Sequence, residues 1–275
     1  MSTSTSVPFD HNKTVEQFHT MVKSLREFDK IEVKGVVDTL LSKTDRDQCF
    51  IGTYWRAVAN VESLLATKSA KDSQAIAMLA RGLFELSVDI RLIDAIPDGP
   101  AKMIAFCDVE KLRAARKIVA FKTANPTAAI HIATYDSFIA SEATRIEAER
   151  SRLWPSLARA RDLKHWSGLD LASRVDLLKT PFDEIYNVNY PQFSWYVHSG
   201  LTGIINLQAE SFHLMCGLAF KISADSYEEL LRTMLHEYPI GKATEKIEEK
   251  LKVAKMLPFT EGPEQAQQLM RELIG

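Results

Sequence analysis

The chain has 275 residues, 46% of them hydrophobic and 25% charged, which is an ordinary globular composition with enough apolar mass for a core. Such a length fits one large helical domain or two modest ones. Only 11 Gly and 10 Pro argue against a β-rich fold, and a formal net charge of −2 excludes a global field that would draw the protein to nucleic acid or an anionic membrane.

Residues 1–13 read as a polar N-terminal tail, with Thr14 and Gln17 placed as a capping box. Val15, Phe18, Val22, Leu25 and Phe28 then recur at helical spacing and define one apolar stripe. A second helix around Val36, Val37, Leu40 and Leu41 is interrupted by Gly35 and ends near Thr44. The third runs from about Asp47 to Ala66, with Phe50, Tyr54, Ala57, Val61 and Leu64 on one face. A fourth starts after Asp72 or Ser73 and stops at Pro97-Asp98-Gly99-Pro100. Helices five (101–124) and six (131–153) end at Asn125-Pro126 and Trp154-Pro155, and the stretch from Trp154 to Asp170 reads as irregular.

Short helices follow from Asp170 and Thr180, where Pro181 suits a first helical position. A long helical region runs from Tyr190-Pro191 to about Ile222, and amphipathic helices complete the chain, the last over 264–274. No strand-like alternation and no repeat is present. The expected fold is therefore all-α: an antiparallel bundle of long helices over 14–223, with a smaller helical appendix over 224–275.

Cys49, Cys107 and Cys216 are far apart and form no Cys-x-x-Cys pair, so neither a disulfide framework nor a zinc site is expected. The opening MSTSTSVPFD lacks the features of a signal peptide, and HLMCGLAF (213–220) is too short to span a bilayer. A cytoplasmic location without membrane contact is the expectation. Metalloprotease, di-iron, P-loop and nucleophile-elbow motifs are missing, so no metal and no cofactor are expected.

Two polar patterns interrupt the apolar text. Arg81, Glu85 and Asp89 fall four residues apart on the apolar fourth helix, where a charged pair needs partners to offset its desolvation. Tyr186, Tyr190, Ser194 and His198 also follow steps of four. Pro191 disfavours helical geometry at Tyr190, which places Tyr186 on a preceding turn and leaves Ser194 and His198 on one helix face. The two stripes are expected to face each other in one water-accessible pocket, with His198, Arg81 and Glu85 as candidate catalytic groups and Tyr186, Tyr190 and Ser194 as ligand-binding groups. A purely structural ion pair and core hydrogen-bond network are the alternative readings. Helix five adds a basic face, Lys102, Lys111, Arg113, Arg116, Lys117 and Lys122, opposed by Asp108 and Glu110. This face (102–122) is a solvated surface or an RNA-binding strip.

The segments ARGLFELSVDIRL, HWSGLDLASRVDLL and IYNVNYPQFSWYVHSG resemble an uncharacterised bacterial all-helical family, a domain of unknown function. The resemblance covers roughly 50–220 and maps its motif onto Arg81, Glu85, Trp166, Tyr186, Tyr190, Ser194 and His198. It implies a helical fold and a shared polar cluster. A looser similarity links ARARDLKHW, with Arg159 and His165, to helical ribonuclease domains of prokaryotic toxin and defence systems, although about one such spacing is expected by chance. Two functions result. The first is a regulatory or interaction protein associated with bacterial stress or phage defence. The second is a metal-independent ribonuclease with His198 or His165 as acid/base and Arg81 or Arg159 on phosphate. Partners are otherwise open, a homo-oligomer included.

Overall fold

The computed structural model describes residues 11–40, 44–67, 72–157, 163–191, 209–239, 244–260 and 268. Among these residues the chain is all-α, with long helices packed on one another and no strand. None of the described helices is long and apolar enough to cross a membrane. The expected 1–13 tail lies largely outside the described residues, as does the terminal helix over 264–274 apart from one residue.

Two compact units divide the chain. The first draws on Met1–Leu41, Phe50–Arg91 and Leu178–Gly275, the second on Ser42–Cys49 and Leu92–Leu177.

In the first unit, α1 (His11–Phe28) buries the expected stripe, with Val22, Leu25 and Phe28 fully shielded. Thr14 lies inside α1 instead of capping it, because the helix begins three residues earlier. A reciprocal box does cap α3 (Asp45–Ala66): the Asp47 N–H donates to Thr44 Oγ1 at 3.1 Å, and the Thr44 N–H donates to Asp47 Oδ2 at 3.2 Å. After α1 the chain does not break. It passes through a π-helical turn, Asp29–Val33, into the short α2 (Lys34–Thr39).

The other members of this unit are most of α4 (Ser73–Ala95), α8 (Phe182–Glu184), α9 (Ala209–Glu237) and α10 (Thr244–Met256). The boundary expected near residue 224 falls inside α9, a continuous helix that packs along α1. The C-terminal helices thus belong to this unit, because their apolar faces need α1 to cover them. Helices α9 and α10 form an antiparallel hairpin, tied by Arg232–Glu248 and by Lys255 to Glu228 at 2.5 Å. Helices α1 and α9 run parallel. Residue 217 meets Thr14 at one end, and Tyr227 meets Asp29 at the other. Helices so distant in sequence are free of the short-loop constraint that makes neighbours antiparallel.

The second unit is built on an antiparallel hairpin of α5 (Gly99–Ala124) and α6 (Ala133–Leu153). Val109, Leu112, Ile146, Leu153, Trp154 and Leu163 form its core. The turn before α5 needs glycine at position 99: Asp98 is left-handed at φ 56°, and a Cβ on Gly99 would lie 2.0 Å from the Ile93 carbonyl oxygen. Residues 163–170 are non-helical, as the loss of periodicity predicts, and α7 (Leu171–Leu178) follows them. Trp154 Nε1 donates to the Trp166 carbonyl at 2.9 Å, so both tryptophans anchor this loop to the hairpin.

Candidate functional site

The sequence-derived cluster assembles in part. Arg81 and Glu85 share a face of α4 by their four-residue spacing, and Arg81 Nε donates to Glu85 Oε1 at 2.9 Å. The Tyr190 hydroxyl reaches the same carboxylate oxygen at 2.8 Å, although 105 residues separate the two in the chain. The Arg81 guanidinium also lies over the Tyr190 ring, 5.2 Å from its centroid, an attractive cation–π position. Three groups therefore close on one another: carboxylate, guanidinium and phenol.

Arg81 and Glu85 keep 28% and 33% of their side-chain surface, so the pair stands at the edge of the core and avoids full desolvation. Tyr190 itself is buried against Phe84, ring centroids 5.6 Å apart. Burial pushes its hydroxyl well above the ordinary tyrosine range, and the Glu85 carboxylate adds to the shift. At neutral pH Tyr190 is a donor.

Pro191 does not displace Tyr190 from the helix. Tyr190 is helical at φ −60°, ψ −37°, and its N–H bonds back five residues to the Ile185 carbonyl. The π-helical turn Ile185–Asn189 supplies the reason: a widened turn relaxes the carbonyl crowding that a proline ring imposes on a regular α-helix. Tyr186 is consequently on the same helical stretch as Tyr190 and stacks on it at 5.4 Å. Ser194 and His198 lie outside the described residues, and with them the expected pocket between the two stripes.

A second cluster of the same chemistry was not legible in the sequence. Asp29 has no exposed surface, and its carboxylate accepts from Tyr54 at 2.7 Å, from Tyr227 at 2.5 Å and from Arg26. Arg26 also donates to Glu62 at 2.6 Å, which carries the network out to the surface. Burial pushes the Asp29 carboxyl up, while the two hydroxyls and the guanidinium oppose that shift. Its sequence signal was slight: a Phe28-Asp29 step at the end of an apolar stripe, and a tyrosine on the apolar face of α3. The 198-residue separation of Asp29 from Tyr227 gave no local clue. Each tyrosine–carboxylate cluster abuts a π-helical turn, a feature that often accompanies functional or constrained positions.

The Arg159/His165 pair is not fully in view, since Arg159 lies outside the described residues. His165 is held at both ring nitrogens. Arg174 Nη1 lies 2.9 Å from Nε2, while Nδ1 lies 2.8 Å from Ser167 Oγ and 3.2 Å from the Ser167 backbone nitrogen. Among the described residues no group of three or more His, Cys, Asp or Glu side chains is arranged to hold a metal ion. Comparison of the chain with protein-family models, curated proteins and solved structures yields no match.

Proposed function

We propose that this chain is a non-catalytic regulatory or interaction protein, in which the Arg81–Glu85–Tyr190 cluster is a clamp that seats the 182–191 segment on α4. The observation that carries this reading is convergence across the fold: one oxygen of Glu85 accepts from both Arg81 and Tyr190, joining α4 to the 182–191 segment. A carboxylate oxygen shared by a guanidinium and a buried phenol ties together the two elements that carry them, and clamping a segment needs no more than that. The link to bacterial stress or phage defence belongs to this proposal and rests on family analogy alone.

The ribonuclease alternative requires Arg81 to take phosphate on the nitrogens other than Nε, or His165 to release Arg174. The test is direct. Purified protein is incubated with single-stranded RNA in the presence of a chelator, beside a His198→Ala variant. The expected result is no cleavage by either. Metal-independent cleavage that disappears in His198→Ala would overturn the proposal.

A further inference from the structure

The hairpin of the second unit contains a feature that goes beyond the proposed function and does not depend on it. Val109, Arg113, Arg116, Lys117 and Ala120 follow three- and four-residue steps, so they line one face of α5. Ile146, Glu147 and Arg150 do the same on α6. Between the two faces lies a cavity of 420 Å³. Small-molecule sites typically occupy about 300–1,000 Å³.

Its lining has two parts. Val109, Leu112, Ala120 and Ile146 are apolar, whereas Arg113, Arg116, Lys117 and Arg150 bring four cations to two carboxylates, Glu147 in the lining and Glu110, which pairs with Arg113. Two of the arginines are fixed in place. Arg150 is buried, donating to Glu147 at 2.9 Å and to the Leu157 carbonyl at 2.9 Å, and Arg113 donates to Glu110 and to the Leu163 carbonyl, the latter at 2.6 Å. Arg116 and Lys117 are exposed at the rim, and Arg116 touches Glu147 through Nη1 alone, at 2.6 Å. A guanidinium engaged at one nitrogen still presents its other donors to an anion.

The positive excess is largest at this place. Elsewhere on α5 and α6 five cations meet four carboxylates, and Lys111, Arg145 and Arg152 are each paired with one of them. An extended polyanion running beyond the cavity would meet nearly as many negative as positive groups. A compact dianion in the cavity would meet the larger part of the excess. The apolar half, beside guanidinium planes, suits a flat hydrophobic body attached to that anion.

We propose that the α5/α6 cavity binds a phosphate monoester carrying a planar apolar group, a nucleoside monophosphate being the simplest such molecule. Arg116 and Lys117 contact the phosphate, Arg113 and Arg150 supply a fixed positive field, and the Val109/Leu112/Ile146 wall receives the base. Calorimetric titration of the full chain tests this with four probes: adenosine 5′-monophosphate, adenosine, inorganic phosphate, and a single-stranded RNA of about a dozen nucleotides. The expected result is saturable one-to-one binding of the monophosphate, about tenfold or more tighter than adenosine or phosphate alone. Arg116→Glu with Lys117→Glu should weaken it by a further factor of about ten, whereas Lys111→Glu, outside the cavity, should change it less than about twofold. Lys117→Gln alone, at an exposed position, keeps the test valid if the double variant fails to fold. No saturation by the monophosphate at low salt would overturn the proposal. So would equal losses from Lys111→Glu and Lys117→Gln, or RNA binding weakened alike by every charge reversal along α5.

Discussion

In the unit built on α1, α9 and α10, Asp29 is wholly shielded from water and held by two tyrosines and an arginine, whereas in the α5/α6 hairpin Asp108 and Glu147 hold their arginines with 32% and 33% of their side chains exposed. The same residue types do different work in the two settings. A shielded carboxylate costs several kcal/mol to desolvate, and its donors must offset that cost, so loss of any partner strands the others. Half-exposed pairs are screened by water and exchange partners cheaply. The buried charge of Asp29 therefore specifies packing, whereas the partly exposed pairs of the hairpin stay open to solvent.

The largest test of this contrast is Asp29→Ala. It leaves Arg26 and two buried hydroxyls facing a void, and should lower stability by about 3–5 kcal/mol in urea denaturation. Asp29→Asn, which keeps one acceptor for the tyrosines, should lose less. A loss below about 1 kcal/mol for the alanine variant would erase the difference between the units.

Tyr190→Phe comes next. Its ring and its stacking on Tyr186 stay, and only the hydroxyl on Glu85 goes, so a loss of about 1–2 kcal/mol is expected, near the lower end for a charge-assisted bond because Glu85 is partly solvated. Native-state hydrogen exchange should show the loss concentrated in 182–191. A uniform loss across the chain would remove the clamp interpretation.

In the hairpin, Glu147→Gln should cost less than about 1 kcal/mol at neutral pH. The Arg116 guanidinium first, and Arg150 after it, hold the Glu147 carboxyl below its ordinary value of 4.5. A depressed carboxyl stabilises the fold at pH values above the ordinary range and loses that contribution as pH falls through the lowered value. The gap between wild type and variant should thus persist from pH 7 to about 5 and close in more acid solution. A gap that widens on acidification would contradict the pairing.

The smallest effect concerns the thiols, which sample both units without altering stability. Cys107 is exposed, while Cys49 and Cys216 are buried, and burial pushes their thiols up to about 12 and about 11. One of three thiols should react promptly with a disulfide reagent in the native protein, and all three after unfolding. Two prompt thiols would show that one of the buried positions opens readily.

Helix positions were readable because hydrophobic periodicity is local: the stripe Val22, Leu25 and Phe28, the stop at Pro97–Pro100 and the basic face of α5 need only a few neighbouring residues. The Arg81–Glu85 pair was legible for the same reason, lying within one helical turn. What escaped was non-local. The partnership of Tyr190 with Glu85 spans 105 residues and that of Tyr227 with Asp29 spans 198, and no pattern along the chain encodes which tyrosine meets which carboxylate. The π-helical turn that reconciles Tyr190 with Pro191 was equally hidden, since local propensity favours a break at that step.

By itself the sequence determined an all-α chain, the limits of most helices, and the faces that must be buried. Tertiary structure alone decided that α1 and α9 lie parallel, that a continuous helix crosses residue 224, and that the positive charge of α5 meets Arg150 of α6 around one cavity. The physical reason is range. Backbone hydrogen bonding and apolar periodicity act over one or two turns, whereas desolvated charges find their partners only when burial brings distant segments together.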